Sequence, residues 1–75
     1  MVLILYGTEG CHLCDEAERL VRHVISSDIE LQLVDIVDDD GLYEKYQFTI
    51  PVIANKLTSK SLNWPFSESD IETLL

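Results

Sequence analysis

The sequence predicts a single α/β domain over residues 1–75, with elements in the order β-α-β-α-β-β-α. Three observations predict it. An apolar run of strand length opens the chain and gives way to a helical repeat at two cysteines. A second, alternating run follows that helix, so strand, crossover helix and strand make a right-handed βαβ unit with a parallel pair. A β-rich run holding a proline comes late, ahead of a helix-capping signature. At 75 residues and 47% hydrophobic the chain builds one core, without internal repeat, low-complexity tract or linker.

Val2 to Tyr6 is continuously apolar and bounded by Gly7, the pattern of a strand buried on both faces. From Cys11 the spacing turns helical. Cys14, Ala17, Val21 and Val24 recur every three to four residues, Leu20 and Ile25 widen the stripe, and Asp15, Glu18, Arg19 and Arg22 fill the other side. That amphipathic helix is expected to end near Ser26-Ser27. Glu30 to Ile36 begins with alternation and is expected to be the second strand. Asp38 or Asp39 can cap a short helix carrying Leu42, Tyr43 and Tyr46. In Phe48-Thr-Ile-Pro-Val-Ile53 the proline has no N–H to donate, so Pro51 must open the third strand. Val52–Ala54 is then expected to pair with Leu57–Ser59 across a tight Asn55-Lys56 turn. Ser67-Glu-Ser-Asp70 is a capping box before Ile71, Leu74 and Leu75, the closing helix.

Charge narrows the function. Fourteen Asp and Glu stand against five Lys and Arg, which argues against nucleic acid and against an anionic membrane surface. The acidic stretch from Asp35 to Glu44 is expected to be a solvated helix start. No apolar segment approaches the roughly 18 residues that cross a bilayer. Met1 to Tyr6 lacks a basic flank and suits a buried strand better than a signal peptide. A cytoplasmic setting is expected, where a close cysteine pair is usually catalytic or metal-binding.

Both cysteines fall in Tyr6-Gly-Thr-Glu-Gly-Cys-His-Leu-Cys14, at the start of the first helix. Cys11 lies beside the unpaired N–H groups and positive dipole end, which favour its thiolate. Glu9, Asp15 and Glu16 oppose this, so the expected acidification is modest. Cys14, one turn on, points to the apolar stripe. One sulfur is placed to attack and the other to resolve. A structural zinc site needs four ligands. Only two Cys and two His exist, and His23 lies eleven residues beyond His12, roughly 16 Å along the helix at 1.5 Å per residue. No metal is therefore expected within one chain. A metal shared between two copies stays open as an alternative. A structural disulfide closing so short a loop would remove little chain entropy.

With Tyr6-Gly7 to Cys14 and Thr49-Ile50-Pro51-Val52 in these places, nearly the whole chain resembles the glutaredoxin-like proteins of the thioredoxin fold, particularly short bacterial ones without an assigned substrate. The resemblance implies a three-layer fold, a four-stranded mixed sheet with helices on both faces. It implies thiol-disulfide exchange at Cys11 and Cys14, with substrate contacts from His12, Leu13, Thr49, Ile50 and Pro51. In the family the proline matching Pro51 is cis and packs beside the sulfurs. The residue matching Ile50 offers its backbone N–H and C=O to an extended thiol substrate, a form of strand addition. The implied partner is a disulfide-bearing protein or a low-molecular-weight thiol, the chain acting as a monomer with no bound cofactor.

Glutathione is the co-substrate the resemblance suggests, and several residues depart from that pattern. His12 and Leu13 occupy places where glutaredoxins usually carry a proline and an aromatic residue. Thr8 and Glu9 stand where a basic residue often meets a glutathione carboxylate. Lys60 to Phe66 has none of the glycines that usually hold its other end, although the Ser67 to Asp70 cap could receive an amine or carboxylate. Leu5 lies near the place of the buried aspartate of thioredoxins. His12 can stabilise the Cys11 thiolate when protonated, or pair with Asp15 or Glu16. His23 is expected at the surface. Trp64-Pro65-Phe66 is either a satellite core or a docking patch, the latter fitting a non-catalytic binding module; an iron-sulfur or metal carrier is the third reading.

Overall fold

The computed structural model describes all residues, Met1–Leu75. Strand β1 (Val2–Gly7) leads through a turn into helix α1 (His12–Val24). Strand β2 (Glu30–Asp35) follows, then a 3-10 turn at Ile36–Asp38 and helix α2 (Asp40–Tyr46). Strands β3 (Val52–Asn55) and β4 (Ser61–Asn63) and helix α3 (Glu68–Glu72) complete the chain. The sheet order is β2-β1-β3-β4, with β1 parallel to β2 and antiparallel to β3, and β3 antiparallel to β4. The expected element order and mixed sheet are therefore present.

One face of the sheet carries the core. Leu3, Leu5 and Ile53 pack against Ala17 and Val21 of α1, Ile71 of α3, and the flanking Phe66 and Leu74. Each large aliphatic side chain buried here contributes about 1.5–3 kcal/mol. The stripe read from the α1 spacing is the one that is buried, at Cys14, Ala17 and Val21. The start of α3 is fixed locally. The Asp70 N–H donates to Ser67 Oγ and the Ser67 N–H to Asp70 Oδ2, at 3.1 and 2.9 Å, which completes the capping box. Asp39, one of the two expected caps, accepts the Leu42 N–H at the start of α2.

The other face is only partly covered. Tyr46 of α2 stacks on Tyr6 with ring centroids 4.7 Å apart, but α2 buries none of its residues. Burial of β1 is accordingly one-sided: Leu3 and Leu5 are buried, while Val2, Ile4 and Tyr6 are only half-buried. The expectation of a strand buried on both faces fails because a seven-residue helix is too small a lid.

The hairpin differs from the expectation as well. Strand β3 pairs with Ser61–Asn63, in the register Val52↔Asn63, Ile53↔Leu62 and Ala54↔Ser61, and not with Leu57–Ser59. Asn55 causes the difference. Its buried side chain donates to the Leu74 carbonyl and accepts the Leu57 and Thr58 N–H groups, so the chain curls around it. Ser59 then takes a left-handed φ of 64° before β4 begins. This wider loop leaves Leu57 exposed and sends Leu62 to the core. A two-residue Asn55-Lys56 turn would have needed φ > 0 at Asn55, and in its type I′ form at Lys56 as well.

Pro51 is fully buried and immediately precedes β3, and the Ile50–Pro51 and Trp64–Pro65 peptide bonds are both cis. Phe66 is buried in the core, with Trp64 packed edge-on against it at 5.1 Å. Phe66 therefore belongs to the core with Trp64 partly buried against it, while Pro65 between them is exposed. No helix is long and apolar enough to cross a membrane.

Candidate active site

The site forms where β1 ends and α1 begins. Gly10 takes a φ of 75°, a left-handed conformation that glycine adopts without cost, and this turns the chain into the helix. Cys11 is the N-cap of α1, with its Sγ accepting the Cys14 N–H at 3.2 Å. A sulfur in that position meets an orphan amide and the positive end of the helix, and both interactions strengthen if it is ionised. Cys11 and Cys14 are joined as a disulfide, their Cα atoms 5.2 Å apart. Cys11 is half-exposed, whereas only 8% of Cys14 is accessible. The two sulfurs therefore differ in access as the helical spacing suggested.

Gly7 is a further site residue; the sequence marks it as the end of a strand and as part of the Tyr6-to-Cys14 stretch, without a contact to either sulfur. A Cβ at Gly7 would stand 3.0 Å from Cys14 Sγ and 3.2 Å from Cys14 Cβ, so only a glycine lets the second sulfur lie against the strand. The signal was a glycine closing an apolar strand just ahead of a C-x-x-C. Register then relates the distant Pro51 to the sulfurs. Tyr6 pairs with Val52, and one step further places Pro51 beside Gly7. Topology thus brings the third-strand entrance to the same end of the sheet as the cysteines.

His12 and Leu13 are exposed in the first turn of α1. The pairing with Asp15 or Glu16, one of the two readings of His12, is not made; Arg22 pairs with Glu18 at 2.9 Å, and His23 Nε2 lies 3.5 Å from Glu68 Oε1. His23 is exposed, as expected. Thr49 and Ile50 are half-buried, and both of their N–H groups donate to the Tyr46 carbonyl, at 2.9 and 3.1 Å. The Ile50 N–H is therefore committed within the chain, while its carbonyl accepts no internal bond. Next to this segment Phe48 projects into solvent, 91% exposed.

A cavity of about 280 Å³ opens beside Cys14, between the ends of β1 and β2 and the flank of α1. Leu5, Leu33 and Val34 form its apolar wall, and Glu9, Asp15, Glu18 and Asp35 bring four carboxylates to it. No group of three or more His, Cys, Asp or Glu side chains is placed to hold a metal ion. On the opposite face, burial pushes the Tyr6 hydroxyl above its ordinary pKa; Tyr46 adds to this and Lys45 opposes it.

The chain is similar over residues 2–75 to the model of the Glutaredoxin-like domain (DUF836). It is 30% identical to protein XcR50 from X. campestris, whose X-ray structure superposes with a TM-score of 0.81 over 95% of this chain and 91% of that one. Protein Ne2328 from Nitrosomonas europaea is 31% identical, with a TM-score of 0.82 over 97% and 88% of the two chains. Thioredoxin 1 from Thermosipho africanus TCF52B shares the fold, with a TM-score of 0.72 at 20% identity over 97% and 89%. None of the curated proteins matches the chain. The family match over residues 2–75 and the two structures at 30% identity or more place the chain in one family, and the chain belongs to the glutaredoxin-like family, on an α/β thioredoxin-like fold.

Proposed function

We propose that this protein is a small thiol-disulfide oxidoreductase in which Cys11 attacks and Cys14 resolves. The observation that carries this reading is the asymmetry of the pair: Cys11 is accessible and caps α1, and Cys14 is buried against Gly7. In the reduced protein the Cys11 thiolate attacks one sulfur of a substrate disulfide. That S–S bond breaks, the leaving thiolate takes up a proton, and a mixed disulfide remains on Cys11. Deprotonated Cys14 then attacks the Cys11 sulfur and releases the second substrate thiol. Two electrons pass from the protein dithiol to the substrate, and an external thiol reductant returns them.

Substrate docking is assigned to His12 and Leu13 on one side and Thr49, Ile50 and Pro51 on the other. The Ile50 carbonyl is the free acceptor for an extended substrate, since its N–H already serves Tyr46. The cis Ile50–Pro51 bond lies in this docking segment. The protein acts as a monomer in the cytoplasm and needs no bound cofactor, and its substrate is a disulfide-bearing protein or small thiol compound. Steady-state reduction of hydroxyethyl disulfide, coupled to a thiol reductant, tests the proposal. Turnover that is lost in Cys11→Ser supports it, and a wild-type protein without turnover contradicts it.

A further inference from the structure

The two ends of the sheet differ in charge. β1 and β2 run parallel, so Gly7 and Asp35 finish side by side at the dithiol end. The β3–β4 loop lies at the other end, where the Lys56 N–H donates to the Val2 carbonyl, and it carries Lys56 and Lys60. The cavity wall formed partly by Cys14 holds four carboxylates and no lysine or arginine. Of these, Glu18 is paired with Arg22, which leaves Glu9, Asp15 and Asp35 without a cationic partner. The chain continues past Asp35 into Asp38, Asp39 and Asp40. In a chain of net charge −9, the reactive sulfurs thus sit at a pole of negative potential next to an open cavity.

Resting on the thiol-exchange reading above, we infer that the substrate of this sulfur pair is a cationic peptide disulfide, with lysine or arginine flanking its cysteine, and that Glu9, Asp15 and Asp35 determine this preference. The cavity is large enough for one long side chain, whose stem lies on Leu33 and Val34 while its charged end meets the carboxylates. Glutathione, which carries more carboxylates than ammonium groups, is repelled by the same wall. A substrate disulfide bonded to Cys11 is held within a helix turn of this cavity, so its charge is felt inside a Debye length of about 8 Å at physiological salt.

The probes are two dimeric peptide disulfides, one with lysine and one with glutamate on each side of the cysteine, and neutral hydroxyethyl disulfide. Rates of single-turnover reduction by the prereduced protein are compared. The lysine peptide is expected to react about tenfold faster than the glutamate peptide at low ionic strength, with the margin shrinking at about 0.5 M salt. In Glu9→Gln/Asp15→Asn/Asp35→Asn the margin should fall severalfold; Asn at 35 keeps the acceptor that Asp35 offers the Val37 N–H. In Asp28→Asn/Glu30→Gln/Glu72→Gln, which removes as many charges away from the cavity, the margin should persist. Single Glu9→Gln, an exposed turn position, should lower it in part. Equal rates, a preference for glutamate, or an equal loss in both triple variants overturns the charge assignment. Failure to reduce even hydroxyethyl disulfide overturns the oxidoreductase reading beneath it.

Discussion

Cys14 lies against Gly7, so close that a single added Cβ would come within 3.0 Å of its sulfur. The second sulfur is buried by a strand end, and the first is left at the helix cap. Gly7→Ala must therefore push Cys14 or the strand aside. Overpacking of this kind costs about 1–3 kcal/mol. Urea denaturation of the oxidised protein should show that loss, and disulfide reduction should slow as Cys14 is displaced. An unchanged midpoint would place the two residues further apart than described.

Access and capping together make the thiols unequal. In the reduced protein at neutral pH, iodoacetamide should modify Cys11 at least tenfold faster than Cys14. Mass spectrometry of timed samples checks this, and equal labelling of the two counts against the assignment of attacking and resolving sulfurs.

Asn55 ties three segments together through the Leu74 carbonyl and the Leu57 and Thr58 N–H groups. Asn55→Ala leaves these groups without their partner and should destabilise the protein by about 2–3 kcal/mol. The loss should appear in the denaturation midpoint, accompanied by faster amide exchange in the Lys56–Lys60 loop. A change below about 0.5 kcal/mol would mean that water replaces the side chain freely.

Helix α3 is short and leans on its capping box. Ser67→Ala should cost about 1 kcal/mol and loosen Ile71 in the core. Thermal unfolding measures the cost. A neutral substitution would show that tertiary packing alone holds the helix.

The elements that were legible in the sequence are those with strong periodicity or a local chemical signature. The α1 stripe, a cap at Asp38 or Asp39, the Ser67–Asp70 box and the strand opening at Pro51 all declare themselves within a few residues. What depends on distant partners did not. Asn55 looks like a turn residue, and only the Leu74 carbonyl, 19 positions away, makes it a buried hub that widens the hairpin. The one-sided burial of β1 follows from how little of the sheet α2 covers, which no pattern within β1 expresses. At the site the cysteine spacing is plain, whereas the contact of Gly7 with Cys14 and the commitment of the Ile50 N–H to Tyr46 arise only from how the chain packs and turns in three dimensions.

The central claim is that Cys11 attacks and Cys14 resolves, and a trapping measurement tests it most directly. Reduced Cys14→Ser is mixed with excess hydroxyethyl disulfide, and the intact mass and the modified residue are determined. The account predicts a stable adduct of one substrate half on Cys11, no such stable adduct in the wild type because Cys14 displaces it, and none in Cys11→Ser on the same timescale. A trapped adduct on Cys14 in Cys11→Ser, with Cys11 unmodified in Cys14→Ser, would contradict the account.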